Sequence, residues 1–220
     1  MAAGAYMEVE EAEEGEDEDE REKHKKNSNS NSLDGNKSVS STSLFDITNP
    51  LKVELPRSLV EVVVHWNIPI HRWLKNYVFS PVRPIVGTPL AILATYSISA
   101  LLHGLNFQLA AVLLSLGLYS YVEHVLRAKL ARIFDACIRA RACRKDCQHS
   151  HQSQVFWVKI TNLFFGTVAV FHLAYLGVGF DSNDEESRGY SMNHVLGKWG
   201  KLGFSSHIVA LAFLALSILV

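Results

Sequence analysis

One imidazole in the middle of the longest apolar run of this chain is the residue whose position most needs a chemical reason. It is His103, in Ser99-Ala100-Leu101-Leu102-His103-Gly104, and from Pro89 to Val122 no residue carries a formal charge. A stretch of that kind reads as membrane-embedded, and an ionisable group inside it is expected to hold a partner or to take part in chemistry. Burial disfavours the imidazolium, so a ring buried among protein at a helix end is expected to stay neutral and able to accept a proton. That suits a general base acting on a hydroxyl nucleophile. Asn67, 36 residues earlier in His65-Trp66-Asn67-Ile68-Pro69, is the second candidate, because its carboxamide could position a substrate oxygen or stabilise developing negative charge. The alternative for His103 is a structural one, a ring hydrogen-bonded to a backbone carbonyl between helices.

Other residues have chemistry-bearing types and a plainer alternative. Cys143-x-x-x-Cys147-x-His149-x-His151 offers zinc-type ligands. Its spacing is not that of a standard finger, and reduced or S-acylated thiols beside a membrane are the favoured reading. Glu123-His124 could relay protons, but a histidine near an interfacial arginine suits a headgroup anchor better. His172 falls inside an apolar stretch and is expected to make an interhelical hydrogen bond rather than to serve as a second base. The carboxylates from Asp181 to Glu186 read as a solvated lumenal loop.

The elements that must position these groups follow from charge and hydropathy. Half of the 22 acidic residues lie between Glu8 and Glu22, followed by Lys23, Lys25 and Lys26 and an Asn/Ser-rich run. Residues 1–50 therefore cannot bury enough apolar area to offset the entropy of ordering and are expected to be a disordered tail. No secretory signal peptide is expected from the carboxylates that follow Tyr6. Residues 51–220 hold 16 Lys and Arg against 9 Asp and Glu, a basic balance suited to anionic cytoplasmic lipid and attributed here to membrane rather than to nucleic acid. Between Pro50 and Pro84 the apolar pieces are short, aromatic and broken by proline, which suits helices lying in the interface with Trp66, Trp73 and Tyr77 at headgroup depth. An all-α, multi-pass membrane protein is expected, with spans over about 89–102, 107–126, 156–180 and 203–220, since about 20 residues cross the hydrocarbon. Residues 127–154 form a strongly basic loop that the positive-inside rule assigns to the cytosol.

The pairing of Trp66-Asn67 with Ser-Ala-Leu-Leu-His103-Gly in an apolar run resembles the membrane-bound O-acyltransferase family, in which an asparagine, or an aspartate in some members, and a histidine mark the active site. Ala110–Leu116, Tyr121-Val122-Glu123-His124-Val125-Leu126-Arg127 and Phe171-His172-Leu173-Ala174-Tyr175-Leu176-Gly177 carry the likeness further, over roughly residues 55–220. They resemble the C-terminal half of the branch that acylates Wnt proteins. The resemblance implies an endoplasmic reticulum membrane enzyme that transfers a palmitoleoyl group from palmitoleoyl-CoA to a serine hydroxyl of a Wnt protein substrate. His103 would be the base and Asn67 a positioning donor, with acyl-CoA as co-substrate and no metal or other cofactor. A lipid O-acyltransferase acting on a sterol or glyceride hydroxyl, or an inactive membrane scaffold, are the rival readings. Members of this family carry many transmembrane helices ahead of the asparagine region, where this chain has its acidic tail, so a partial chain with limited independent activity is expected.

Overall fold

The computed structural model describes residues 47–104, 106–143, 147–180 and 192–220. The expected disordered tail of residues 1–50 lies outside the described residues as far as residue 46, as does the expected lumenal loop from Asp181 to Glu186, whereas residues 47–50 are described and are ordered by bonds to His65 and Ile68 and by the start of a helix at Pro50. Among those described the chain is helical, with a single isolated parallel bridge between Ala136 and His151.

The first part is a string of short helices: α1 Pro50–Glu54, α2 Leu59–Trp66, α3 Ile68–Leu74, one π-helical turn at Lys75–Phe79, and α4 Ser80–Val86. Their ends are written in the sequence. Ser58 caps α2 by accepting from the Glu61 amide at 3.1 Å, while the Glu61 carboxylate reaches back to the Arg57 amide at 2.8 Å. That reciprocal pair satisfies two donors that a helix start would otherwise leave open. Lys52 of α1 also pairs with Glu61. Pro69 and Pro81 sit in the first turns of α3 and α4, where their missing N–H costs nothing. Trp66 and Tyr77 are exposed and Trp73 partly so, as expected of aromatic residues at a membrane surface.

Two longer elements follow, α5 Thr88–Leu102 and α6 Phe107–Ile133, packed against each other, then α7 Phe156–Gly177, α8 Met192–Lys201 and α9 Ser205–Leu219. By length and composition α6 and α7 can each cross a membrane, and α8 with α9, bent by 74°, can form a third, broken span. Against the four expected spans, the described residues hold two helices of that length and composition, or three if the bent pair is one span. At 15 residues α5 is too short to cross by itself. The last span needs α8, which is set off by a turn where Phe204 adopts a left-handed φ of 49°.

A further correction concerns residues 127–133, expected in the basic loop but continuing α6 for almost two more turns. Arginine ordinarily ends an apolar span, but here Arg127 is turned inward and fully buried. One apolar core joins Leu59 of α2 with Tyr119, Ala169, Tyr175, Leu176, Val195, Trp199 and Ala210. A second, at the other end of α6, joins Ala131, Ala136, Cys137, Ile138 and Val158, so the loop after α6 has a packed interior.

Candidate functional site

His103 closes α5. Its amide donates to the Ser99 carbonyl at 3.3 Å, and the chain then turns through Gly104, whose φ of +89° is one that L side chains rarely adopt. The Asn106 amide donates to the Gly104 carbonyl at 2.9 Å, and the Asn106 carboxamide oxygen caps α6 by accepting from the Gln108 and Leu109 amides at 2.9 and 3.4 Å. The imidazole therefore stands at the end of α5, where the chain turns towards α6. It is exposed, together with Leu101 and Leu102, which corrects the expectation that it is buried among protein. An apolar run reports only absence from water, and hydropathy does not separate residues that face other helices from those on the outer surface of a membrane protein. Among the described residues no hydrogen bond engages the His103 ring.

Asn67 ends α2 and starts α3. Its side-chain oxygen accepts from the Ile70 amide at 3.3 Å and its carbonyl from the His71 amide at 2.9 Å, which leaves the carboxamide NH₂ to donate elsewhere. The break is braced by residues 47–49. The Asn49 amide and the Thr48 hydroxyl both donate to the His65 carbonyl, at 3.0 and 2.8 Å, and the Ile68 amide donates to the Ile47 carbonyl at 2.9 Å. Asn67 and His103 are both held at helix ends, but no hydrogen bond joins them to each other.

The most connected polar group in the described residues is one that spacing alone did not reveal. The Arg127 guanidinium donates to the Glu123 carboxylate at 3.0 Å, to the Ile138, Arg139 and Arg57 carbonyls at 2.7, 2.9 and 2.8 Å, and to the Asn162 side chain at 2.7 Å. The Phe165 ring lies under it at 4.6 Å. The other Glu123 oxygen accepts from the Leu59 amide at 2.9 Å. Arg57 donates to the Cys137 and Arg139 carbonyls, and Ser58 to that of Ala140. A charge pair removed from water is stable only with its hydrogen bonds filled, and here the unpaired carbonyls of the loop fill them. Glu123 is thus a structural anchor rather than a relay. The detectable signal was a carboxylate and a guanidinium four residues apart on an apolar helix, a spacing at which side chains meet.

His172 makes the expected interhelical bond, its Nδ1 lying 2.5 Å from the Ser206 hydroxyl on α9. Around it Tyr119, Tyr175, Trp199 and His207 stack ring on ring, with the Tyr175 hydroxyl 3.3 Å from His207.

In the loop after α6 the structure brings together a different set of ligand types from that read in the sequence. The Cys137, Cys143 and Cys147 sulfurs and a His149 nitrogen all lie within 4.8 Å of one another. His151 is not among them: its ring bonds the Phe134 carbonyl at 3.1 Å and packs edge-on against Trp157. Cys137 was missed because it lies six residues before the compact cluster, on the far side of the turn. Burial and the adjacent thiols push the Cys137 thiol up to about 12, whereas the Ser150 hydroxyl and amide hold the Asp135 carboxyl below its ordinary range.

A model of MBOAT, the membrane-bound O-acyltransferase family, matches residues 41–145, a range that includes both Asn67 and His103. Among curated proteins the chain is 51% identical over 166 residues to protein-serine O-palmitoleoyltransferase porcupine of Homo sapiens, covering 74% of this chain and 36% of that protein. It is 43% identical over 171 residues to the Anopheles gambiae protein of that name, covering 76% and 34%. For the Caenorhabditis briggsae protein the figures are 38% over 176 residues, 78% and 39%. The chain spans about a third of the length of these relatives.

Proposed function

This chain belongs to the membrane-bound O-acyltransferase family over residues 41–145, and from that premise we propose that it carries the hydroxyl-activating part of a protein-serine O-palmitoleoyltransferase. The acyl donor is palmitoleoyl-CoA and the acceptor is a serine of a Wnt protein, at the endoplasmic reticulum membrane. The observation that carries the reading is the His103 imidazole, exposed at the end of α5 with no hydrogen-bond partner among the described residues.

In the reaction an imidazole nitrogen takes the serine hydroxyl proton as the oxygen attacks the thioester carbonyl. The tetrahedral intermediate collapses with loss of the coenzyme A thiolate, which recovers the proton from the imidazolium. The Asn67 NH₂, not consumed by its capping role, donates to an oxygen of the reacting groups. The exposed apolar surface of Leu101 and Leu102 beside the base suits an acyl chain.

The test is transfer of a labelled palmitoleoyl group to a Wnt-derived peptide in membranes containing the protein and its His103→Ala variant. A loss of transfer with unchanged protein level supports the reading. Near-normal transfer by the variant removes His103 from the chemistry.

A further inference from the structure

The chain contains three cysteines, and the fold collects all of them at one point. Cys137 leaves the end of α6, Cys143 and Cys147 follow in the loop, and His149 completes the set two residues later. The Cys137 and Cys147 sulfurs are 3.2 Å apart, and the His149 Nδ1 lies 3.7 Å from Cys137 and 3.9 Å from Cys143. A disulfide needs about 2.05 Å between sulfurs, so the thiols are close without being bonded, and all three are free. Tetrahedral zinc with Zn–S of about 2.3 Å and Zn–N of about 2.0–2.1 Å sets its ligand atoms about 3.5–3.8 Å apart. The observed separations bracket that tetrahedron.

We propose that Cys137, Cys143, Cys147 and His149 bind one structural zinc ion that clips the loop after α6. Three thiolates and an imidazole in a closed set are the donors zinc selects among common divalent ions, and they leave no open position for a substrate. The surroundings hold the ligands in place. The Cys137 amide donates to the His151 carbonyl at 2.9 Å, and the His151 amide donates to the Asp135 carbonyl at 3.0 Å, which fixes the two ends of the loop side by side. The Cys137 carbonyl accepts from Arg57 at 2.7 Å and from Asn162 at 3.2 Å. Arg57 also lies close enough to the Cys137 and Cys143 sulfurs to interact with them electrostatically. A zinc centre with three thiolates carries net negative charge, and that guanidinium offsets it. The ion thereby ties the loop to the same frame that Arg127 builds between α2, α6 and α7. This site is independent of the acyl-transfer reading.

The test is elemental analysis of the protein purified in detergent with an affinity tag free of histidine. One equivalent of zinc is expected, together with thiols that react with a maleimide only after a chelator is added. His149→Ala should lower the zinc content, His149→Cys should restore it, and His151→Ala should leave it unchanged. Replacement of the ion by cobalt should give the intense visible bands of a tetrahedral thiolate site. The proposal is overturned by zinc-free protein whose three thiols react at once, by thiols released by hydroxylamine and hence acylated, by a Cys137–Cys147 disulfide, or by one equivalent of another metal. The native protein decides the matter even where a variant does not fold.

Discussion

His103 and Asn67 differ in what their loss should do. A positioned general base contributes about 10²–10⁴-fold to rate, so His103→Ala should lower acyl transfer by that order while leaving the thermal midpoint near that of the parent, because an exposed ring holds nothing in place. Asn67→Ala should cost about 10²–10³-fold if a stabilising donor is lost. It should also lower stability, since the Asn67 oxygen caps α3. Asn67→Asp keeps that cap and removes the donor, so it separates the two effects. His172→Ala should act the opposite way from His103→Ala: it loses the Ser206 bond and the Tyr119 stacking but leaves transfer per folded molecule intact. The Glu123–Arg127 pair should be the most sensitive point for stability. Removing one partner strands a buried charge and costs about 3–5 kcal/mol, so Glu123→Ala should unfold well below the parent in detergent, while Glu123→Gln, which keeps the acceptor for Leu59, should fall between. A pH effect is expected from His71, outside the candidate spans, where burial and then the nearby Arg141 and Lys75 lower its pKa to about 4. Between about pH 6.5 and 4 the unfolded chain takes up that proton and the folded one does not, so its contribution to stability is present above pH 6.5 and is lost as pH falls through this window. The thermal midpoint of His71→Gln should therefore fall less than that of the parent between pH 7 and pH 4.5. His103 stood out in the sequence because a lone imidazole in an apolar run needs a reason, but its exposure was not legible there. The pairing of Arg127 with Glu123 was detectable from their four-residue spacing, but its other partners, three backbone carbonyls and the Asn162 side chain, were not, because they come from other stretches of chain.

Among the elements, boundaries were legible wherever a capping residue or a turn glycine set them. The end of α5 at Leu102 and the start of α6 at Phe107 follow from Gly104 and Asn106, whose local geometry needs no tertiary help. The end of α6 was not legible, because a residue that normally stops a span had been absorbed into the fold by long-range hydrogen bonds. Close helix packing was likewise hidden in residues that look interchangeable. A Cβ added at Gly166 would stand 2.6 Å from the Pro56 carbonyl oxygen, whereas one added at Gly117 would meet the Tyr96 ring at 2.7 Å. Backbone ahead of the α2 cap is held by the Glu61 and Arg127 bonds at Arg57 and cannot retreat, while an aromatic side chain can turn. Overpacking costs about 1–3 kcal/mol, so Gly166→Ala should lower the thermal midpoint more than Gly117→Ala. Equal losses would mean that the Tyr96 ring is as firmly fixed as the Pro56 backbone.

Across the whole molecule, the side-chain bonds define the direction of each long helix. Lys129 near the end of α6 donates to the Ser217 carbonyl near the end of α9 at 2.5 Å, and the Tyr119 ring, earlier in α6, meets that of His207 at the start of α9 at 5.4 Å, so these two run the same way. Helix α7 runs the opposite way, tied to α6 near its start by Asn162 and Arg127 and to the start of α9 near its end by His172 and Ser206. One end of the bundle therefore gathers Arg57, Arg127, Lys129, Arg132 and the loop with Arg139 and Arg141. An excess of Lys and Arg marks the cytosolic side of a membrane protein because such loops resist translocation. The three cysteines report on this end alone, which makes the topology measurable. In sealed microsomes, whose outer face is the cytosolic one, a membrane-impermeant maleimide with a membrane-impermeant chelator should label them without detergent. A cysteine introduced by Lys201→Cys, at the opposite end of the bundle, should react only after detergent opens the vesicle. The introduced thiol is read in a background where Cys137, Cys143 and Cys147 have been blocked from outside beforehand. If the native thiols are reached only after opening and the introduced one is reached before it, the bundle is inserted the other way and His103 stands at the cytosolic end. A serine of a secreted acceptor would not meet it there, so the same experiment also tests the acyl-transfer reading.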